Sequence, residues 1–175
     1  VGPLEAILEL NRQLEPYKGK GKFLPFEKLM DLFEQYPVLV GCGHPYRAPG
    51  HVPELPLEQL KRLDFLDLNG KDMALDRERT QRLTYDLGHT LDIPVVSGSD
   101  THQAVQYGCI ATCFESTFDT VEEMHREMRA GRYEIHLADS AALQVRTACL
   151  LKRSLKEIYA LGGDYVAVLT KAVSA

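Results

Sequence analysis

Apolar positions near the start of the chain recur at the spacing of an α-helix. Between Leu4 and Leu14 they occupy positions 4, 7, 8, 10 and 14, close to helical spacing, and Pro16 with a glycine- and lysine-rich stretch ends the pattern. The same spacing returns after Pro25, from Phe26 to Tyr36. The pattern therefore predicts two helices before the first strand.

Three apolar runs farther along the chain predict strands: VLVGCGHP, FLDLNG and IPVVSGS. The first is rich in valine and leucine, which fits a strand that is buried on both faces. A proline-rich loop and a short helix separate the first two runs, and leucines from Leu75 to Leu91 predict a charged helix before the third. This alternation predicts the α/β class, with a parallel sheet and flanking helices.

The second half of the chain carries weaker strand patterns and clearer helix signals. CIATCF predicts another strand, and RYEIHL alternates in the manner of an edge strand. Between them, Thr120 and Glu123 form a capping box ahead of a helix that Gly131 terminates. The longest helix is predicted from Ser140 to Leu161.

Composition and charge limit the classes of partner that we expect for this chain. The 175 residues are 45% hydrophobic and 26% charged, which is typical of a globular protein and fits one domain over residues 1–175. No apolar run approaches the roughly 18 residues of a membrane span, and no signal peptide is visible, so we expect a cytoplasmic protein without a membrane partner. The net charge of -5 disfavours nucleic acid as a partner.

The four cysteines point away from a structural zinc site. Cys42, Cys109, Cys113 and Cys149 include no Cys-x-x-Cys pair. Without secretory signals they are predicted to be reduced and buried as small hydrophobic residues. A zinc ribbon is excluded.

Polar side chains that can bind metals follow each predicted strand. His44 comes directly after the first strand, Asp67 and Asn69 end the second, and Asp100 and His102 end the third. In parallel α/β folds the ligand site lies at the carboxyl ends of the strands. Residues two positions apart in an extended segment point to the same side, so Asp100 and His102 can reach one pocket.

These residues suit a transition metal, although structural interpretations remain open. A carboxylate with imidazoles favours zinc, manganese or iron over calcium. Alternatively, Asp100 or Thr101 caps the next helix, His44 is a polar strand end, and Asp67 is a loop-facing acid. Arg47 either binds a phosphate with its guanidinium fork or braces its loop.

The remaining histidines carry less information. His51 lies in the proline-rich loop, where it either joins the site or faces solvent. His89 is predicted to be exposed on the charged helix. His125 and His136 show no partner pattern in the sequence.

Together the strand-end motifs resemble a known family. GCGHPYR, LDFLDLNG and VSGSDTHQAVQYG are similar to the later motifs of the PHP (polymerase and histidinol phosphatase) superfamily, and TFDTVEEMHREMRAGRYEI resembles the segment that often follows them. The resemblance covers roughly residues 25–136. Residues 137–175 are expected to form a helical carboxyl-terminal extension.

The resemblance implies a distorted (β/α)7 TIM-like barrel and a metal-dependent phosphoesterase that acts on a phosphorylated small molecule. By resemblance, His44, Asp100 and His102 would bind divalent metal ions, with Asp100 also taking part in catalysis. Arg47 would bind the substrate phosphate, and Asp67 and Asn69 would support the ligands. Asp67 departs from the family, in which a glutamate is common near that position.

A larger departure concerns the start of the family pattern. The opening His-x-His motif has no counterpart, because residues 1–43 contain no histidine. We therefore expect the chain to be the carboxyl-terminal part of a PHP-like barrel that it cannot close alone, with an incomplete ligand set and little activity of its own. Two alternatives are a degenerate, non-catalytic PHP module and a homo-oligomer that covers the open strand edges.

Overall fold

A parallel sheet of three short strands forms the centre of the protein. The computed structural model describes residues 1–48, 50 and 52–163. Strands β1 (Gly41–Gly43), β2 (Phe65–Asp67) and β3 (Val95–Val96) lie side by side in chain order. Cys42 pairs with Leu66, which in turn pairs with Val95. The α/β class and the parallel arrangement predicted from the sequence are confirmed.

Five helices precede or connect these strands. Both helices predicted before the first strand are present, and Pro25 stands at the start of the second, where its fixed φ suits a helix entry. The bounds are α1 (Leu4–Leu14), α2 (Phe26–Phe33), α3 (Leu57–Leu60), α4 (Gly70–Leu75) and α5 (Arg77–Leu91).

The long helix predicted to include Leu75 is broken in two. Asp76 leaves the helical conformation at φ -150° and caps α5, where its carboxylate accepts from the Arg79 N–H at 3.2 Å. An aspartate at this position favours a new helix start over continuation. The prediction of a single helix there is wrong, whereas its exposed charged face is confirmed, with His89 exposed on α5.

An antiparallel pair of strands follows the parallel sheet. Strands β4 (Ile110–Phe114) and β5 (Tyr133–Leu137) flank helix α6 (Val121–Arg129), and α7 (Ala141–Ala160) completes the described elements. Thr120 and Glu123 form the predicted capping box, with the Glu123 N–H donating to Thr120 Oγ1 at 3.1 Å. Both predicted strands, the capped helix α6 and the long helix α7 are therefore confirmed, and the pairing of the two strands is an addition from the structure.

Side chains from both antiparallel strands join the two sheets. Thr112 Oγ1 on β4 accepts from the Ser97 N–H at 2.8 Å and donates to the Ser97 carbonyl at 2.9 Å. The Tyr133 hydroxyl on β5 donates to the Val95 carbonyl at 2.8 Å. The strands of the described residues thus form two sheets connected by side chains, without barrel closure.

The core lies on the side of the sheet that α4, α5 and α7 cover. Leu66 at the centre of β2 has no exposed surface, and Leu68 and Val145 are 1% exposed. Close packing also explains Gly88 on α5, because a Cβ there would lie 2.6 Å from Val95 Cγ2. Burial of these apolar side chains supplies the main driving force for this arrangement.

The opposite face of the sheet is open. Phe65, Asp67 and Val96 border a mainly apolar groove of about 340 Å³, together with side chains from β4 and α6. The expectation that the first strand is buried on both faces is wrong, because Gly43 is exposed. That strand is also shorter than predicted, since Leu39 exchanges backbone hydrogen bonds with Val1.

The cysteine prediction is correct only in part. All four cysteines are free; Cys42 and Cys109 are buried, but Cys113 and Cys149 are exposed. Cys113 projects outward because alternate residues of a strand face opposite sides. Among the described helices, none is both long and apolar enough to cross a membrane.

We expect Leu66→Ala to lower the free energy of unfolding by about 2–5 kcal/mol, because it leaves a cavity at the centre of the core. Leu143→Ala removes the same atoms from a side chain that is 69% exposed on α7 and is the matched control. Urea denaturation of both variants measures the difference. Equal losses would contradict the assignment of Leu66 to the centre of the core.

Candidate functional site

The loops that leave the three parallel strands share an uncommon backbone conformation. His44 after β1, Asn69 after β2 and Asp100 after β3 have φ values of 45°, 62° and 50°. Positive φ is uncommon in residues other than glycine, and Asn, Asp and His tolerate it better than most. Conformations of this kind cluster at functional sites, where the surrounding contacts must maintain them.

Arg47 connects all three of these loops. Its Nε donates to Asp72 Oδ1 at 3.0 Å, its Nη1 to Asp100 Oδ2 at 3.3 Å and its Nη2 to Asn69 Oδ1 at 2.5 Å. The side chains of Arg47, Asp72 and Asp100 are 22–27% exposed, so solvent screens these contacts only partly. The interpretation of Arg47 as a loop brace is therefore supported, although the side chain reaches into the site.

The Asp67 carboxylate holds the backbone of the loop that follows β2. Its Oδ1 accepts from the Asn69 N–H at 3.0 Å and from the Gly98 N–H at 2.9 Å. Asn69 is 1% exposed, and its Oδ1 also accepts from the Lys71 N–H at the start of α4. Asp67 and Asn69 thus hold the backbone of the second loop, to which the Arg47 side chain bonds.

Gln106 holds the third loop. Its side-chain amide donates to the carbonyls of Ser99 and Asp100 at 2.8 and 3.0 Å, and its Oε1 accepts from the His102 N–H at 3.3 Å. Gln106 is 5% exposed and lies in a short 3₁₀ turn, Ala104–Gln106. No side chain caps that turn, so the interpretation of Asp100 or Thr101 as a helix cap is wrong.

The ring of His102 has a defined orientation. Its Nδ1 lies 2.9 Å from the Asp100 carbonyl oxygen, which can only accept a hydrogen bond. Nδ1 must therefore carry the proton, and in the neutral ring Nε2 keeps its lone pair. Histidines that bind metals almost always donate their other ring N–H to a carboxylate or a carbonyl in this manner.

One pocket gathers most of the predicted site residues. It has a volume of about 270 Å³ and lies where the three loops meet α7. The structure brings four predicted residues to this pocket, together with five that the sequence analysis did not assign to a site. They are His44, Arg47, Asp100 and His102, and then Lys71, Gln106, Ala148, Cys149 and Lys152.

The two carboxylates near the pocket differ in acidity. Burial opposes ionisation of Asp100, but hydrogen bonds from Asn69 and Arg47 and the charges of His102 and Arg47 outweigh it, so its pKa is lowered. Burial raises the pKa of Asp67, and the charge of Asp100 adds to this effect, whereas the N–H groups of Asn69 and Gly98 oppose it. Asp100 is therefore the stronger acid of the two.

Asp67 does not line the pocket with the other candidates. Its side chain borders the apolar groove on the open face of the sheet, close to Gly43. His125 is half-buried and His136 is exposed, and neither lines the pocket. His51 lies outside the described residues.

The pocket supplies donors for a metal but no complete ligand cluster. Two imidazoles and a carboxylate from two different loops border it, which fits zinc, manganese or iron in chemical type. No three histidine, cysteine or acidic side chains among the described residues lie close enough together to hold an ion. Asp100 Oδ2 is also engaged by Arg47, so metal binding there would compete with this ion pair.

Several site residues had no signal in the sequence. Asp72 stands within a helix start, and Gln106 resembles any polar turn residue. Lys152 comes to the pocket only because α7 packs against α4 and the 104–106 turn. Gln144 fixes that packing by donating to the carbonyls of Val105 and Tyr107. Contacts of this kind depend on tertiary structure, which a sequence pattern does not report.

Comparisons with known proteins add evidence on the fold. No protein-family model and no curated protein matches the chain. The solved structure of PsfC from Pseudomonas syringae PB-5123 is similar, with a TM-score of 0.56 and 22% sequence identity over 75% of this chain. The match covers 52% of PsfC, so the chain spans about half the length of that protein. At this identity the similarity supports the α/β fold alone.

We expect Arg47→Met to lower the free energy of unfolding by about 1–3 kcal/mol, because it leaves three buried or partly buried acceptors beyond β2 and β3 without their donor. The matched control is Arg12→Met, which removes an exposed ion pair with Glu9 on α1 and should cost less. Urea denaturation measures both. A loss no larger than that of the control would show that the three-loop connection contributes little.

We expect the free energy of unfolding of Asp67→Asn, relative to that of the original protein, to be higher at pH 7 than at pH 4. Because the folded protein raises the pKa of Asp67, this carboxyl favours folding at low pH and loses that contribution as pH rises from its ordinary pKa of 3.8 through the higher folded value. Asparagine keeps an acceptor oxygen without the charge.

Denaturation at a series of pH values tests this sign, with the exposed Asp86→Asn as the control for the loss of one charge. A constant difference between the original protein and Asp67→Asn across the series would contradict the shift.

Proposed function

We propose that the chain is the carboxyl-terminal part of a metal-dependent phosphoesterase of the PHP type. The observation that carries the proposal is the fixed ring of His102, whose Nδ1 bonds the Asp100 carbonyl while the ring borders one pocket with His44 and Asp100. The pocket lies at the carboxyl ends of parallel strands, where α/β enzymes bind their substrates. The motif resemblance supplies the reaction type.

The chain's own residues would have distinct roles in this reaction. His102 would offer Nε2 as a ligand, His44 a second imidazole, and Asp100 an ionised carboxylate. A divalent zinc, manganese or iron ion held there supplies Lewis acidity that makes water a nucleophile near neutral pH. Arg47 holds Asp100 in place, and any contact with the substrate phosphate would use only the N–H groups that its protein partners leave free.

The finer expectations on architecture and context belong to the same proposal. The two connected sheets would form part of a distorted (β/α)7 barrel whose other strands lie in a longer protein. The substrate would be a phosphorylated small molecule, and the location the cytoplasm. Self-association remains a prediction; the open apolar groove beside Phe65 offers a surface for it.

A second candidate function has one observation in its favour. Asp100 already pairs with Arg47, and Arg47 also bonds Asp72 and Asn69, so the site is held together without a metal ion. A degenerate PHP module that acts in binding or assembly would keep this ion-pair network and need no ligand. The two candidates differ in whether metal reaches His102.

The proposal predicts that Mn²⁺ broadens the NMR resonances of the His44 and His102 rings at low metal concentration, and that His102→Ala abolishes the effect on His44. His89→Ala, which changes an exposed histidine on α5, is the matched control and should leave the broadening intact. Because the ligand set is incomplete, the chain alone should bind Mn²⁺ weakly and hydrolyse p-nitrophenyl phosphate very slowly.

Efficient hydrolysis by the 175-residue chain would contradict the assignment of an incomplete site. Broadening spread equally over all histidines would contradict metal binding at this pocket and favour the non-catalytic module.

A further inference from the structure

Two lysines in the site pocket have no assigned role. Lys71 in α4 and Lys152 in α7 both line the pocket that holds His44 and His102. Neither ammonium group forms an ion pair with any part of the chain that the structure describes. The chain carries a net charge of -5, so two uncompensated cations at one cavity run against its overall charge.

Arg47 differs from these lysines in its partners. Its three nitrogen atoms donate to Asp72, Asp100 and Asn69, and two of these acceptors are carboxylates. Its positive charge is therefore balanced inside the protein, and three of its five N–H groups already have partners. A phosphate that enters the pocket would find its strongest unpaired donors on Lys71 and Lys152.

The two lysines come from helices that pack against each other. α7 packs against α4, and Gln144 anchors α7 to the turn that follows the third strand. Ala148 and Cys149 line the pocket one turn before Lys152 on α7. Helix packing thus sets the backbone positions of Lys71 and Lys152 before a ligand binds. This preorganisation lowers the entropic cost of binding an anion between them.

A second cavity continues along α7 from the same lysine. It has a volume of about 380 Å³ and shares Lys152 with the site pocket; the other lining residues are Gln103, Leu155, Lys156 and Tyr159. Carbon atoms of these side chains form most of the surface of the cavity, and Lys156 adds a second ammonium group. A ligand held by its phosphate at Lys152 could place its organic portion there.

We propose that Lys71 and Lys152 bind the phosphoryl oxygens of a phosphomonoester, with the organic portion of the ligand along α7 towards Leu155. The inference rests on the proposed phosphoesterase function and adds the residues that hold the substrate. Lysine ammonium groups donate up to three hydrogen bonds each, and charge-assisted bonds to phosphate are stronger than neutral ones. Arg47 then has a positioning role, because it holds the loops that border this site.

An exposed thiol in the pocket allows a direct test. Cys149 lines the pocket, whereas Cys113 is exposed on β4 away from it. Inorganic phosphate, used as the probe, should slow alkylation of Cys149 by iodoacetamide and leave Cys113 unaffected. Mass spectrometry of the two cysteine-containing peptides measures both rates in one sample, with chloride at equal ionic strength as the reference.

Charge-removing variants connect this protection to the two lysines. Lys71→Met and Lys152→Met should each raise the phosphate concentration for half-protection about tenfold, the effect of losing one hydrogen bond to a charged group. Lys28→Met removes an exposed lysine on α2 outside the pocket and should leave the value unchanged. Lys71→Arg and Lys152→Arg, which keep the charge, should retain most of the protection. Thermal melting of each variant checks that it is folded.

The outcomes separate this inference from the function on which it rests. The anion site would be overturned if phosphate did not protect Cys149. It would also be overturned if the phosphate concentration for half-protection were the same in the original protein and in both methionine variants. Either result leaves the Mn²⁺ measurement on His102 free to support metal binding. Protection of Cys149 that depends on both lysines, together with normal Cys113 reactivity, would support the inference even if no metal binds.

Discussion

The guanidinium group of Arg47 holds together the loops on which the site depends. It bonds Asn69 and Asp72 beyond β2 and Asp100 beyond β3, while its own backbone follows β1. The strands themselves are two or three residues long, so their ladders contain few hydrogen bonds. A planar guanidinium places its donors on three separate nitrogen atoms in fixed directions, so it can hold acceptors from different loops at defined positions, whereas a lysine donates from a single nitrogen on a flexible stem.

The same network explains why the chain tolerates positive φ angles at Asn69 and Asp100. His44, Asn69 and Asp100 each adopt a conformation that costs free energy in residues other than glycine. Asn69 is held through Asp67 and Arg47, and Asp100 through Gln106 and Arg47. The hydrogen bonds thus offset the local cost and keep polar side chains directed at one pocket.

Sequence patterns predicted the helices and the parallel order because both follow from local periodicity and alternation. They failed where backbone groups found partners elsewhere: the Val40 N–H donates to Asp64 Oδ2, so the first strand begins only at Gly41. His44, Asp100 and His102 could be predicted from their positions after strands. Gln106 and Lys152 could not, because Gln106 depends on contacts within its own loop and Lys152 reaches the pocket only through the packing of α7. Asp72 contacts Arg47 without lining the pocket, and its position in a helix start gave no signal. The sequence also did not predict which face of the sheet the Asp67 side chain is on, because a residue at the end of a strand can face either side.

Arginine and lysine have separate roles in this pocket for a physical reason. A guanidinium keeps its charge and bonds acceptors in fixed directions, so burying it among Asp72, Asp100 and Asn69 produces a rigid, charge-balanced support. An ammonium on a flexible stem adjusts to the position of an incoming anion and remains hydrated until that anion arrives. If Arg47 were the main phosphate ligand, binding would have to break contacts that hold all three loops. Placing the unpaired charge on Lys71 and Lys152 lets a ligand bind while the loop network stays intact.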